Sequence, residues 1–220
     1  RKKMIQILRI GLPAGFQGVV FALSNVVIQS SVNIFGNIVV AGNSAAANLE
    51  GFVYMAMNAF YQTTLSFVSQ NYGAWEQKRI HRIVLLGEAC VIVTGTLLGN
   101  AVVFFGNELL HIYSSNPEVI AAGIVRLHYI SMVYALCGIM DVMVGALRGI
   151  GYSVMPMIVS IVGVCVLRLV WLATVFQIPE YHRIETVYLY YPVTWILTSL
   201  VYIVFFIWVR VRTCRKSAAA

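Results

Sequence analysis

The segment from Phe67 to Arg82 reads FVSQNYGAWEQKRIHR and joins two long apolar runs. The first run has the composition of a helix and ends at Gly73, a residue type common at helix C-caps. A cluster of Lys, Arg and His side chains then precedes the second run. In a soluble protein such a cluster suggests a nucleic acid or an acidic partner, so its meaning depends on the class of protein.

Composition decides that class. Of the 220 residues, 60% are hydrophobic and only 10% are charged, whereas soluble domains have about 45–50% apolar and about 25% charged residues. The four cysteines form no C-x-x-C pair, and no P-loop, HExxH or GxSxG motif occurs. The sequence therefore predicts a membrane protein that is not an enzyme, with no metal site and no cofactor.

A helix that crosses a bilayer needs about 20 mostly apolar residues. Six segments meet this requirement, namely residues 12–35, 44–72, 83–105, 118–147, 154–178 and 187–209. The breaks between them are short, and none resembles a domain linker. We therefore expect an all-α membrane protein in which residues 1–220 form a single lobe of six transmembrane helices.

The basic residues orient these helices. Six spans put both termini on one side, and twelve of the 15 Lys and Arg residues belong to that side. They are Arg1, Lys2, Lys3, Arg9, Lys78, Arg79, Arg82, Arg148, Arg210, Arg212, Arg215 and Lys216. The opposite loops hold only Arg183. Because cytoplasmic loops collect Lys and Arg, both termini and the 73–82 loop are predicted to be cytoplasmic, and the basic cluster is interpreted as a topology signal, not as a nucleic-acid site.

Polar residues recur along the first two predicted spans. In the first, Asn25, Gln29 and Asn33 follow each other every four residues and so share one helical face, with Gln17 and Ser24 near it. In the second, a stripe with steps of three and four runs the full length: Asn48, Gly51, Met55, Asn58, Gln62, Ser66 and Ser69. Such stripes form either interhelical hydrogen bonds or the lining of a water-filled cavity.

Ionisable residues inside the spans are expensive to bury and need partners. Glu50 lies near the outer end of the second span, and Arg126 and Arg168 fall at a similar level. The sequence therefore predicts a Glu50–Arg126 or a Glu50–Arg168 ion pair, with a structural role as the first interpretation. For Glu88, near the inner end of the third span, the simple expectation is that its carboxylate reaches towards the interface.

Asp141 is the acid placed deepest in a span. It shares a helical face with Tyr134, Gly138, Gly145 and Arg148, and Gly145 with Gly149 forms a GxxxG pattern that permits close helix approach. Asp141 is therefore expected to face a tight helix contact or the interior. Its carboxylate either binds a cation or a proton, or is a structural acid satisfied by neighbouring helices or by the nearby arginine.

Three segments together resemble the MATE (multidrug and toxic compound extrusion) family. These are LRIGLPAGFQ at residues 8–17, NSAAANLEGFVYMAMNAFYQTTLSFVSQNYGA at residues 43–74 and GALRGIGYSVMPMI at residues 145–158. The resemblance is to the C-terminal six-helix lobe and runs from about Arg9 to Arg210. It covers nearly the whole chain.

This resemblance implies a multi-pass antiporter of the inner or plasma membrane, which exports lipophilic, often cationic, compounds by alternating access driven by Na⁺ or H⁺. The family chain is about twice as long, so the expected partner is a missing N-terminal lobe or a second copy of this chain, besides the small-molecule substrate and the bilayer. Nucleic acid is not expected. The candidate cavity or ion contacts are Gln17, Asn25, Gln29, Asn58, Gln62 and Asp141.

Two other functions stay open at this stage. One is a related flippase for a lipid-linked glycan, although a large anionic substrate would need several arginines in the cavity, and only Arg126 and Arg168 are available inside the spans. The other is a membrane-embedded interaction subunit that transports nothing.

Overall fold

The computed structural model describes residues 2–218, with the side chains of residues 4, 5, 7, 8 and 11–211. Arg1 and the side chains of Lys2, Lys3, Arg9, Arg212, Arg215 and Lys216, which entered the prediction of orientation, lie outside this description. Within residues 2–218 the chain forms helices and no strand. The α-helices, in chain order, are α1 (Lys2–Asn33), α2 (Asn37–Gly73), α3 (Gln77–Phe104), α4 (Gly106–His111), α5 (Pro117–Ile130), α6 (Ala135–Gly149), α7 (Val154–Ser160), α8 (Leu167–Ala173) and α9 (Ile184–Ala218).

The main apolar core forms around α2, which packs against α3, α5 and α6. Met57 and Val68 of α2 are fully buried in this core, together with Leu147 of α6. Tyr202 of α9 closes the core from another side. Apolar burial on this scale is the main favourable contribution to helix packing in water, but within a bilayer close fit between helices replaces it.

Small residues provide that close fit. A Cβ atom added at Gly145 would lie 2.8 Å from the carbonyl oxygen of Tyr61, and one added at Gly149 would lie 2.7 Å from a methyl carbon of Val68. Gly138, about two turns before Gly145 on α6, faces Met57 of α2. The close helix approach predicted from the GxxxG pattern is therefore confirmed, and its partner is α2.

Four of the described helical segments are long and apolar enough to cross a membrane: Gly11–Asn33, Gln77–Phe104, Val154–Gln177 and Ile184–Val211. A fifth crossing results if Pro117–Val133 and Ala135–Gly149 form one span. The 37 residues of α2 exceed the length of any of these segments, but its many Asn, Gln and Ser residues lower its mean hydropathy. The number of six spans therefore stays a prediction.

The fourth predicted span, residues 118–147, is not one continuous helix but is divided between α5 and α6. The chain bends by 47° there, at a 3₁₀ turn formed by Ser131–Val133. The carbonyl group of Ser131 lies directly against Gly99 of α3, where a side chain would not fit. The bend thus occurs where a glycine lets the backbone of the next helix approach.

The fifth predicted span is also irregular. Between α7 and α8, residues Ile161–Val166 form a π-helical segment, in which each turn holds more residues than an α-helix. Gly163 in this segment lies against Thr198 of α9. The π-helical segment leads directly into α8, which carries Arg168 and so sets the direction of its side chain.

The helix α1 is the most peripheral part of the bundle. In the most apolar 18-residue stretch of α1, only 17% is buried inside the bundle, compared with 39% for the corresponding stretch of α9. Its helix begins before Pro13, at Lys2, earlier than the predicted span. With so little apolar burial, α1 depends on its polar contacts for attachment to the other helices.

The contact between α6 and α2 can be tested with matched glycine substitutions. Gly145→Ala should lower stability by about 1–3 kcal/mol, because the added methyl group forces α6 away from the α2 backbone. Gly51→Ala, in the interior of α2, meets no atom within 4 Å and should be neutral or slightly stabilising. Thermal unfolding of the purified variants in detergent compares the two, and equal effects would contradict the packing described.

Candidate functional site

A cavity of about 210 Å³ lies between α1, α2 and α6. Its polar lining residues are Gln17, Tyr54, Asn58, Tyr61, Asp141 and Arg148. Three of the six candidate residues predicted from the sequence therefore lie together, one from each helix. The cavity combines a carboxylate, a guanidinium group, two amides and two phenols.

Arg148 forms one wall of this cavity. It donates hydrogen bonds to the hydroxyl oxygen of Tyr61 at 2.7 Å and to Oε1 of Gln17 at 2.8 Å, and its Nε has no partner among the described residues. The sequence placed Arg148 in a cytoplasmic loop. It instead occupies the last turn of α6 and is buried, because α1 and α2 supply acceptors for its guanidinium group.

Asp141 lies two turns before Arg148 on α6. The two side chains form no ion pair within 4.0 Å, and Oδ2 of Asp141 is buried without a hydrogen-bond partner among the described residues. A buried carboxylate oxygen without a donor is costly. The described part of the structure therefore leaves one oxygen of Asp141 without the donor that a structural acid would need.

A second polar network lies at another level of the bundle, between α2, α5 and α9. Arg126 donates to both carboxylate oxygens of Glu50, at 2.9 and 2.6 Å, and to Oδ1 of Asn43 at 2.6 Å. Tyr188 donates to the same Asn43 oxygen at 3.2 Å, and Arg126 lies against the rings of Tyr188 and Tyr191. Such a two-pronged pair with additional hydrogen bonds is the geometry that lets a buried ion pair persist.

The amide of Asn43 connects this network to α1. Its Nδ2 donates to Oε1 of Gln29 at 3.3 Å, and Gln29 in turn donates to Asn33 at 3.0 Å. Gln29 was predicted to contact the cavity, and the structure places it elsewhere. Gln29 does share one helical face with Asn25 and Asn33, but at the level of Gln29 this face meets Asn43 of α2 and not the cavity.

Arg168 was considered as the alternative partner of Glu50, and this is wrong. Its Nη1 donates to Oδ1 of Asn25 at 2.7 Å and to the hydroxyl of Ser24 at 3.2 Å. Its guanidinium carbon lies 4.7 Å from the centre of the Tyr190 ring, a distance typical of a cation–π contact. Arg168 is thus buried against neutral groups, and Asn25, predicted for the cavity, serves it instead.

The polar stripe of α2 remains on the outside of this helix bundle. Gln62, which was also predicted to contact the cavity, is exposed and does not line the cavity between α1, α2 and α6. Asn48, Gly51, Met55, Ser66 and Ser69 are exposed with it. Interhelical hydrogen bonding within the described bundle therefore does not account for this stripe.

Sequence reasoning missed the residues that hold these networks together. Asn43 belongs to neither of the two predicted polar stripes, but α2 begins at Asn37 and puts it inside the bundle. The tyrosines at 188, 190 and 191 fell in an apolar run and gave no polar signal, although four aromatic or aliphatic residues in the pattern YLYY could have suggested ring faces for the buried arginines.

The fold and the cavity define a polytopic helical membrane protein with a small polar site inside the bundle. The model of the MatE family matches residues 13–174, and the chain belongs to this family.

Curated relatives agree with the assignment. The chain is 29% identical over 162 residues to the probable multidrug resistance protein YpnP of Bacillus subtilis, covering 74% of this chain and 36% of the relative. It is 26% identical over 209 residues to the probable multidrug resistance protein NorM of Aromatoleum aromaticum, covering 93% and 44%. An FAD transporter of Shewanella oneidensis is 27% identical over 120 residues, which cover 54% of this chain and 26% of that protein. The chain spans less than half the length of these relatives.

Solved structures show the same fold. A crystal structure of a MATE protein in complex with MaL6 superimposes with a TM-score of 0.85 at 16% identity and covers 96% of this chain and 47% of that one. The Vibrio cholerae MATE transporter VcmN in the bent form gives a TM-score of 0.80 at 19% identity, with 96% and 46% coverage. These relatives are transporters and not enzymes.

Substitutions in the Glu50–Arg126 pair test the second network. Arg126→Gln should destabilise the protein by about 3–5 kcal/mol, because it leaves the Glu50 carboxylate buried without its cation. Combining it with Glu50→Gln should recover much of this loss, since no charge then remains buried. Detergent-based unfolding of the two single variants and the double variant measures their coupling.

An exposed pair offers the control for this cycle. Arg79 lies 3.8 Å from Glu76 at the surface, and Arg79→Gln should cost less than about 1 kcal/mol. Additive effects of the two changes at Glu50 and Arg126 would contradict the network.

Proposed function

We propose that this chain is one six-helix lobe of an ion-coupled exporter that moves lipophilic, often cationic, compounds out of the cell by alternating access. The support for export of such compounds is membership of the MatE family and the multidrug resistance proteins among its relatives. Coupling to Na⁺ or H⁺ is the finer part of this proposal.

The observation that carries the coupling proposal is the carboxylate of Asp141 in the cavity with Arg148, because its buried Oδ2 has no partner among the described residues. A carboxylate buried near the middle of a span binds a cation or a proton more readily than one at a surface, because few other groups compensate its charge. In this proposal Asp141 exchanges the coupling ion, while Tyr54 and Asn58 supply oxygen atoms for it. Gln17 and Tyr61 hold Arg148 at a distance from Asp141, so the acid stays free for the ion.

The exposed stripe of α2 supports a second half opposite this lobe. A row of polar side chains in mid-helix is unfavourable against lipid, and Asn48, Gln62 and Ser66 lie on such a row. In the proposal this face borders the substrate pathway between two lobes. The opposing lobe is either further polypeptide of the same transporter or a second copy of this chain.

Orientation completes the proposal. We place both termini and the 73–82 loop in the cytoplasm, with six spans including α2, because Lys and Arg collect on that side. The exposed Trp75 in the same loop fits an interfacial position for this end of α2 and α3.

A second candidate is the export of an organic anion, which the FAD transporter among the relatives favours. Arg148 lines the cavity, and its Nε has no partner among the described residues, whereas Arg126 and Arg168 do not line this cavity. One arginine suits a small anion better than a lipid-linked glycan. The flippase and the non-transporting subunit therefore rank below the cation exporter.

Replacement of Asp141 tests the proposed coupling. In cells expressing the complete transporter that contains this lobe, Asp141→Asn should abolish ion-driven efflux of a fluorescent lipophilic cation, since the amide keeps the size of the side chain but cannot carry the ion. Efflux is followed after an imposed Na⁺ or pH gradient. The matched control is Glu118→Gln, an exposed acid at the start of α5, which should transport normally. Undiminished ion-driven efflux by Asp141→Asn would contradict the proposal.

A further inference from the structure

A large groove lies on the opposite side of α6 from the Asp141 cavity. It is formed by α3, α6 and α9 and has a volume of about 510 Å³. Leu85 and Ile92 of α3, Ile139 of α6, and Ile203 and Ile207 of α9 provide its apolar walls. This groove shares no lining residue with the Asp141 cavity, so the transport proposal does not account for it.

The length of the groove matches one membrane leaflet. From His81 to Ile92 it follows α3 for 11 residues, about 16 Å at the helical rise per residue. The hydrocarbon core of a bilayer is about 30 Å thick, so one leaflet contributes about 15 Å. An acyl chain lying along the groove would therefore reach from the headgroup level to the middle of the membrane.

One end of the groove is basic. His81 and Arg210 line it there, and Lys78 and Arg82 are exposed within a turn of His81 on the same helix. Arg79 is exposed as well, but it pairs with Glu76. The exposed Trp75 marks the same end as the membrane interface, where indole rings prefer to lie.

The basic end also holds a buried hydrogen-bond donor that has no acceptor among the described residues. Arg210 donates through Nη1 and Nη2 to the side-chain and backbone oxygens of Gln77. These two bonds fix the guanidinium group and use two of its five N–H donors. The Nε2 amide of Gln77 is buried and has no acceptor among the described residues. Gln77 is the first residue of α3, where the helix dipole also favours an anion.

Glu88 is the acid on the groove, and it does not oppose an anion at the basic end. It lies seven residues after His81, about 10 Å farther along α3. Both its carboxylate oxygens are buried and have no partner among the described residues. The expectation that Glu88 reaches towards the interface is therefore wrong, because both oxygens of its carboxylate are buried beside the groove.

From these features we infer that the groove is a binding site for an anionic phospholipid. One acyl chain lies along the apolar walls, and the headgroup phosphate accepts hydrogen bonds from Arg210 and Gln77 with His81 beside it. Basic pockets between membrane helices bind anionic headgroups in this way. A zwitterionic lipid offers the same acyl chain but carries a cationic group that the basic end disfavours, so binding discriminates by headgroup charge.

Lipid retention by the full chain tests this site without any transport assay. The chain is purified from vesicles of equal phosphatidylglycerol and phosphatidylcholine content, and the retained lipid is counted by native mass spectrometry. We expect retention of phosphatidylglycerol over phosphatidylcholine by about fivefold or more, in line with the attraction of a single basic residue to an anionic surface. Equal retention of the two lipids would overturn the inference.

Two variants and two matched controls locate the binding. Arg210→Gln removes the cation and should remove the preference for phosphatidylglycerol, whereas Arg183→Gln, an exposed arginine of another loop, should leave it unchanged. Ile207→Trp fills the groove without changing charge and should release both lipids, whereas Leu97→Trp, at an exposed position of α3 outside the groove, should not. Circular dichroism and size-exclusion profiles verify folding. If Arg210→Gln does not fold, the comparison of Ile207→Trp with Leu97→Trp tests the site. Equal retention of phospholipid by these two variants would overturn the proposed site.

Discussion

The structure depends on how three buried arginines are satisfied inside an apolar bundle. Arg126 has a carboxylate partner in Glu50, whereas Arg148 and Arg168 are held by amide and hydroxyl oxygens and lie against tyrosine rings. A guanidinium group among apolar helices without such partners is costly. Because the acceptors for Arg148 and Arg168 come partly from α1, which buries little apolar surface, these hydrogen bonds attach α1 to the rest of the bundle.

This attachment also shapes the candidate site. Gln17 and Tyr61 bind Arg148, and the arginine forms no ion pair with Asp141. One oxygen of that carboxylate therefore has no partner among the described residues. The polar residues of α1 and α2 thus divide into two groups with different roles. Those of α1 mostly bind arginines within the bundle, and those of α2 mostly remain exposed, on a face that lipid does not suit.

Much of this could be predicted from the sequence, because apolar length and steps of three and four residues are properties of single helices. Those patterns correctly indicated a helical membrane protein and the close approach at Gly145, whereas the family was indicated by the resemblance of three segments to known members. Contacts between helices could not be predicted in the same way. The choice of Arg126 over Arg168 as partner of Glu50 depends on the bend at Ser131 and on the π-helical segment before α8, and neither bend nor π-helix has a clear sequence pattern. The spacing of Asn25 and Gln29 likewise predicted their shared face but not their partners. The structure gives Arg168 to Asn25 and Asn43 to Gln29, outside the cavity.

The most direct test of this account is hydrogen–deuterium exchange of α1 in the folded chain. Arg148→Met together with Arg168→Met keeps the side chains long and apolar but removes the donors to Gln17, Ser24 and Asn25. The account predicts that the amides of residues 17–33 then exchange faster, while α2 and α6 keep their protection, because apolar packing alone holds α1 weakly. Unchanged protection of α1 in this variant would contradict the claim that the arginine contacts attach it.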